Sequence, residues 1–149
     1  MKKIFFIILL STITLSAFTQ NKNEEAVKKV LKSYANKIEK LDTTGIAALF
    51  IEKSSIYEGG NSEGTINHYL EHHLGPELKE FKSFKFYDYK VDVTTSGEYA
   101  FSTETYIYTI VLEKDGKESK SKGVATSVLK KINGNWKIVS THSSFRKTK

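Results

Sequence analysis

The chain has 149 residues, with 23 Lys and Arg against 17 Asp and Glu, a formal charge of +6 and no cysteine. That length fits one domain of ordinary size with its own core, and the missing cysteines exclude disulfide scaffolds, cysteine nucleophiles and thiolate metal sites. The lysines are scattered among acidic residues, with no run of Arg interleaved with aromatics, so nucleic acid is not the expected partner.

Met1-Lys2-Lys3 leads into Ile4 to Leu10, a run without a polar residue, and Ser11 to Ala17 stays mostly small or apolar before Thr19-Gln20-Asn21-Lys22 turns polar. A short basic start, an apolar stretch and a small-residue exit describe a signal peptide over residues 1–20. The stretch is shorter than the roughly 20 apolar residues of a spanning helix, so cleavage near Ala17 or Thr19 is expected rather than anchoring. Loss of Lys2 and Lys3 leaves a charge of about +4. The expectation is one exported domain over 21–149, periplasmic or secreted, with no membrane contact after cleavage.

After Asn23, a helix N-cap residue, Val27, Val30, Leu31, Tyr34, Ile38 and Leu41 follow three-four spacing with Lys and Glu opposite, which predicts an amphipathic helix. Asp42 is placed to cap a second short helix carrying Ile46, Leu49 and Phe50. Ser54 to Glu58 reads as a short strand ended by Gly59-Gly60. A third helix is expected from about Thr65, interrupted by Gly75-Pro76 and continued for a turn by Leu78 and Phe81.

From Phe84 the pattern turns to strands, punctuated by Ser96-Gly97, Asp115-Gly116 and Asn133-Gly134. Asp-Gly and Asn-Gly between β-prone runs signal hairpins. Four long antiparallel strands are expected, at roughly 84–95, 98–113, 117–132 and 135–145. With two-residue turns, one face carries Tyr87, Tyr89, Val91 and Val93, then Ser102, Glu104, Tyr106, Tyr108 and Ile110. It continues with Gly123, Ala125, Ser127 and Leu129, then Trp136, Ile138, Ser140, His142 and Ser144. Asp88, Lys90 and Asp92 fall on the opposite face, so the first set is expected to meet the helices. That assignment survives a register shift of two residues and fails for a shift of one.

Two or three helices followed by a long meander resemble the nuclear transport factor 2-like cone fold, and its SnoaL-like branch in particular. The stretch Asp42-Thr43-Thr44-Gly45-Ile46-Ala47-Ala48-Leu49-Phe50 is similar to that family's second helix. Asn133-Gly134-Asn135-Trp136-Lys137-Ile138-Val139, followed by His142 and Ser144, is similar to its terminal strand. The resemblance covers essentially the whole of 21–149. It implies an α+β domain with a pocket between helices and sheet, and commonly a homodimer through the sheet. The superfamily spans isomerases, dehydratases, cyclases and non-catalytic binding domains, so it does not choose among them.

The residues themselves nominate a site. Glu104 on an inward face is costly unless it is paired or placed beside a ligand. His142 on the same face has small cross-strand neighbours and a titration range suited to proton transfer, or else it satisfies a neighbouring hydroxyl. Tyr87, Tyr89 and Tyr106 add an aromatic lining capable of hydrogen bonds, and His73 joins from the apolar side of the third helix. The first reading is a binding pocket for a small, partly apolar molecule, formed by His73, Tyr87, Tyr89, Glu104, Tyr106 and His142. The second is a cofactor-independent isomerase, dehydratase or cyclase using His142 and Glu104. A third is a metal binder using His72, His73 and His142, because His68 and His72 stand at i,i+4. The expectation is that this metal is absent or weak, since His68, His72 and His73 project in at least two directions from a helix and a good site would need His142 or a carboxylate to complete it from the sheet. Glu58 and Glu63, flanking Gly59-Gly60-Asn61, read as a pocket rim or a solvated turn; Arg146 reads as an anion ligand or part of a charged tail. No Gly-rich phosphate loop or Ser-His-Asp order is visible, and no cofactor is expected. The outward sheet face, with Thr103, Ile107, Val111, Val124, Val128 and Val139, is too apolar for a wholly wet surface and points to the homodimer.

Overall fold

The computed structural model describes the backbone of residues 2–148 and the side chains of residues 20–148; the expected signal peptide lies almost wholly outside the described side chains. Among the described residues no helix is long and apolar enough to cross a membrane. Helix α1 spans Lys2–Glu39, so it runs through Asn23 instead of starting there, and the Asn23 side chain accepts from Lys131 Nζ at 2.9 Å. Val27 and Leu31 are fully buried on its inner face, while Tyr34 and Ile38 pack at the edge of the core. Just beyond the helix end at Glu39, Leu41 takes a φ of 54°. The amide of Asp42 donates back to the Lys37 carbonyl at 3.0 Å, closing orphaned carbonyls as helix ends require.

The expected second helix shrinks to a single 3-10 turn, Ala47–Leu49, because Phe50 already opens strand β1, Phe50–Glu58. Asn61–Gly64 forms β2, which folds back on β1. Helix α2, Ile66–Tyr69, passes through a π-helical turn at Leu70–Leu74 into α3, Gly75–Glu80. Gly75-Pro76 therefore does not break the helix. The wider π turn absorbs one extra residue where Pro76 has no N–H to give. Gly75 is needed there, since a Cβ would collide with the Leu70 carbonyl oxygen.

The long strands are β3 Phe81–Ser96, β4 Tyr99–Leu112, β5 Glu118–Ile132 and β6 Asn135–Lys147. They form the expected antiparallel run, and β1 adds parallel to β6, giving one curved sheet in the order β2-β1-β6-β5-β4-β3. The fold is α+β, with helices against one face of the sheet. At one end of that face Ala100, Leu129, Trp136 and Ile138 close on Val27, Leu31 and Ile46 as a dry core.

Two bulges set what the other end contains. In β3, Tyr87 pairs with Ile107 but Lys90 pairs with Thr105, so Asp88 and Tyr89 together face Tyr106. In β6, Ile138 pairs with Leu129 but Ser140 pairs with Val128, leaving Val139 as the extra residue. Each extra residue exchanges the two faces of its strand from that point on. Asp88 carries the first bulge with a φ of 51°, a region that disfavours branched side chains. Asp88→Gly should leave stability unchanged or raised, whereas Asp88→Ile should cost about 1–3 kcal/mol in urea denaturation. Equal stability of the two variants would contradict the strained bulge.

Candidate functional site

A cavity of about 470 Å³ opens between α1, the α2–α3 segment and the inward face of the sheet. Its helical wall is largely aliphatic, with Ala35, Ile38, Leu74 and Leu78; its sheet wall is aromatic, with Phe84, Phe86, Tyr89, Tyr106 and Tyr108. The rings form a continuous ladder: Phe84 stacks on Tyr108 at 5.3 Å and Phe86 meets Tyr106 edge-on at 5.0 Å. Small residues opposite make room for it. Tyr106 lies across Gly123, its cross-strand partner, where any Cβ would strike the ring. Phe145, half exposed, extends the ladder from Tyr108 towards the mouth.

Along β4 the inward residues run Ala100, Ser102, Glu104, Tyr106 and Tyr108, so Glu104 stands where dry core gives way to cavity. It is 7% exposed. The Tyr89 hydroxyl donates to its Oε2. Burial raises the Glu104 carboxyl above the ordinary carboxylate range, against the smaller opposing pull of the Tyr89 hydrogen bond. The Tyr89 hydroxyl is itself pushed up, by burial first and then by the charge of Glu104.

A second polar centre hangs from the helical side. His73 Nδ1 lies 2.9 Å from Glu63 Oε2, and Nε2 faces Glu77 Oε1 at 3.3 Å and Glu58 Oε2 at 3.8 Å. Tyr69 donates its hydroxyl to Glu58 Oε2 at 2.5 Å. Burial lowers the His73 imidazole, but the Glu63 hydrogen bond and the charges of Glu77, Glu58 and Glu63 outweigh it and raise the group overall. Burial raises Glu77, a larger effect than the lowering by His73. The arrangement is an imidazole oriented at one nitrogen by a carboxylate, with the other nitrogen turned towards acidic groups of the cavity wall. That is a competent proton donor and acceptor.

Of the sequence-predicted residues, His73, Tyr89, Glu104 and Tyr106 line the cavity, and Tyr87 and His142 do not. Tyr87 precedes the β3 bulge, pairs with Ile107 and is half exposed on the outer face. His142 follows the β6 bulge, pairs with Thr126 and is exposed beside Tyr57, their rings 6.5 Å apart. Both inward placements rested on an unbroken register and are corrected. Thr141 and Ser143 take the inward positions on β6 instead. The three-histidine metal constellation is likewise not assembled. His72 is exposed and packs on His68 at 4.5 Å, His73 turns to the cavity and His142 to the far face of the sheet. No group of three or more His, Cys, Asp or Glu suited to holding a metal occurs among the described residues.

Of the two rim acids, Glu58 does line the cavity, and Glu63 anchors His73. Sequence reading missed Glu77, although it follows His73 at i+4. It also missed Phe84 and Phe86, which precede the β3 bulge and so face inward where Tyr87 was expected.

The family model of the SnoaL-like domain matches residues 27–147. Comparison with curated proteins found no match. Among solved structures, the chain is similar to a nuclear transport factor 2-like superfamily protein from Salmonella enterica serovar Typhimurium. The identity is 21%, over 87% of this chain and 93% of that one, with a TM-score of 0.74. It is also similar to a candidate dehydratase of the same fold from Streptomyces avermitilis, at 19% identity over 83% and 97% of the two chains and a TM-score of 0.73. A candidate ketosteroid isomerase from Shewanella frigidimarina shares 28% identity over 80% and 94%, with a TM-score of 0.67.

The raised groups give stability a defined pH dependence. Glu104 binds its proton more tightly folded than unfolded, so its contribution is greatest below the unfolded value of 4.5 and is lost as pH rises through the folded value. His73 behaves likewise from its unfolded value of 6.5 upward. Urea denaturation across this range should show Glu104→Gln gaining on the unsubstituted protein as pH rises above 4.5. The disadvantage of His73→Gln should shrink above 6.5. Stability gaps that do not vary with pH would contradict these assignments.

Proposed function

As the chain belongs to the SnoaL-like domain family, we propose that its cavity binds one small, mainly apolar molecule whose polar part meets Glu104 or the His73 cluster. The observation that carries this reading is a 470 Å³ space with stacked rings on its sheet side and Ala35, Ile38, Leu74 and Leu78 on its helical side, its charged groups confined to Glu104 and the His73 cluster. Such a composition suits a ligand oriented by few contacts and held by burial. The similarity to a candidate ketosteroid isomerase at 28% identity supports a small-molecule occupant.

A second reading, proton transfer on the bound molecule without a cofactor, is favoured by the anchoring of His73 Nδ1 on Glu63. His73 takes the place first given to His142, and Glu104 supplies the second acid–base group. The neutral fluorophore N-phenyl-1-naphthylamine should bind at one equivalent, and Ala125→Phe, filling the space beside Glu104 and Ser143, should abolish that binding while the protein stays folded. Failure of the folded protein to take up the probe sinks the binding reading. For the second reading, solvent deuterium exchange into 2-tetralone, followed by proton NMR, should be accelerated and should fall by about 10²-fold or more in His73→Gln.

We propose further that the protein is exported with loss of its first 17 to 20 residues and pairs through its outer sheet face, where Tyr57, Tyr99, Phe101 and Val124 are exposed. Intact mass after recovery from the native host should show the shortened chain, and light scattering should report two copies. A full-length cytoplasmic species, or a monomer at high concentration, would refute these two points respectively.

A further inference from the structure

We infer that the molecule this cavity is built for carries a positive charge: a protonated amine on an apolar ring system, with its ammonium against Glu104. The inference rests on the binding reading above and is independent of the proton-transfer reading. Its starting point is the sign of the cavity. The chain carries 23 Lys and Arg and a formal charge of +6, yet among the described residues not one Lys or Arg lines the cavity, which presents Glu58, Glu77 and Glu104. His73 can offset only part of that charge. A low-dielectric cleft lined by one sign concentrates the opposite one. An anionic ligand would enter against three carboxylates and find no Lys or Arg among the described lining residues.

The second observation is the company of Glu104. Its carboxyl is 7% exposed and has no salt-bridge partner among the described residues, its one side-chain bond being from the Tyr89 hydroxyl. Beside it on the cavity wall, Phe86, Tyr89 and Tyr106 pack on one another, with centroids 5.0 Å apart for Phe86 and Tyr106, 5.8 Å for Phe86 and Tyr89, and 6.1 Å for Tyr89 and Tyr106, and Tyr89 bonds Glu104. Aromatic faces attract cations, and a cage of rings is the recurring means of holding a substituted ammonium. A buried carboxylate without a counter-charge is unfavourable. An ammonium in the cavity in front of these rings supplies that counter-charge and donates to the carboxylate at the same time. The aliphatic wall of Ile38, Leu74 and Leu78 then receives the apolar body. A neutral ligand with a hydroxyl could satisfy the carboxylate by one hydrogen bond, but it would leave the acidic lining and the ring faces unused.

The experiment is a matched triplet titrated by calorimetry near pH 7: 2-(2-naphthyl)ethylamine, 2-(2-naphthyl)ethanol and 2-naphthylacetate. The amine should bind about tenfold or more tightly than the alcohol, and the acetate should bind weakest. Glu104→Gln should remove the amine's advantage and leave the alcohol within about twofold of its original affinity. Tyr89→Phe, which keeps the ring but frees Oε2, should hold or raise the amine's affinity. Equal or tighter binding of the alcohol overturns the cation proposal while leaving the cavity as a binding site, and so does preferred binding of the acetate. An amine affinity unmoved by Glu104→Gln overturns the placement of the charge. Binding of none of the three overturns both this inference and the reading it rests on.

Discussion

The two bulges, at Asp88 in β3 and Val139 in β6, govern what the cavity contains, because side chains on a strand alternate with a period of two and one extra residue exchanges the faces. Ahead of its bulge, β3 turns Phe84 and Phe86 inward; after it, Tyr89 and Val91. Trp136 and Ile138 of β6 lie in the core, and beyond Val139 the inward residues become Thr141 and Ser143. Each strand therefore keeps a dry inward face at one end of the sheet and presents a differently phased set at the other. The sheet is one continuous structure, but its core and its cavity are in different registers.

The helical side makes a comparable adjustment. The π turn at Leu70–Leu74 inserts one residue ahead of α3 and carries Pro76 without ending the helix. His73 and Glu77 then stand on the same cavity wall, one to either side of Pro76. β1 and β2 bring Glu58 and Glu63 to the same imidazole from a different part of the chain. Residues with little meaning in sequence order thus become one acid–base cluster, set apart from Glu104 on β4. The resulting cavity is acidic in a basic chain, a contrast that underlies the ligand chemistry inferred above, while burial accounts for the raised Glu104.

Much of this was legible beforehand. The amphipathic pattern from Val27 to Ile38 and the three Gly-containing turns identified α1 and the antiparallel run, and the Asn133-to-Ser144 motif pointed to the cone fold. Glu104 on the inward face followed from alternation alone, since β4 and β5 pair without a break. The errors have a common physical cause. A bulge leaves no strong mark in the sequence: Val139 is an ordinary strand residue, and Asp88, though it tolerates a positive φ, falls within an alternating Asp88-Lys90-Asp92 pattern that reads as an unbroken outer face. Tyr87 and His142 were consequently placed one face away from where they lie. The π turn escaped notice for a related reason: Gly75-Pro76 reads locally as a stop, and only packing of Leu74 and Leu78 on the sheet carries the helix through it.

The central claim, that β6 changes face between Ile138 and Thr141, can be tested directly because the chain has no cysteine of its own. Thr141→Cys, His142→Cys and Ser143→Cys, made singly, should differ in their rates of modification by iodoacetamide in the folded protein. The account predicts fast reaction at position 142, at the rate of an exposed thiol, and reaction about tenfold slower or more at positions 141 and 143, where the cavity wall covers the side chain. The reverse pattern, slow at 142 and fast at its two neighbours, would mean that the register runs unbroken and that the cavity described above is wrongly lined.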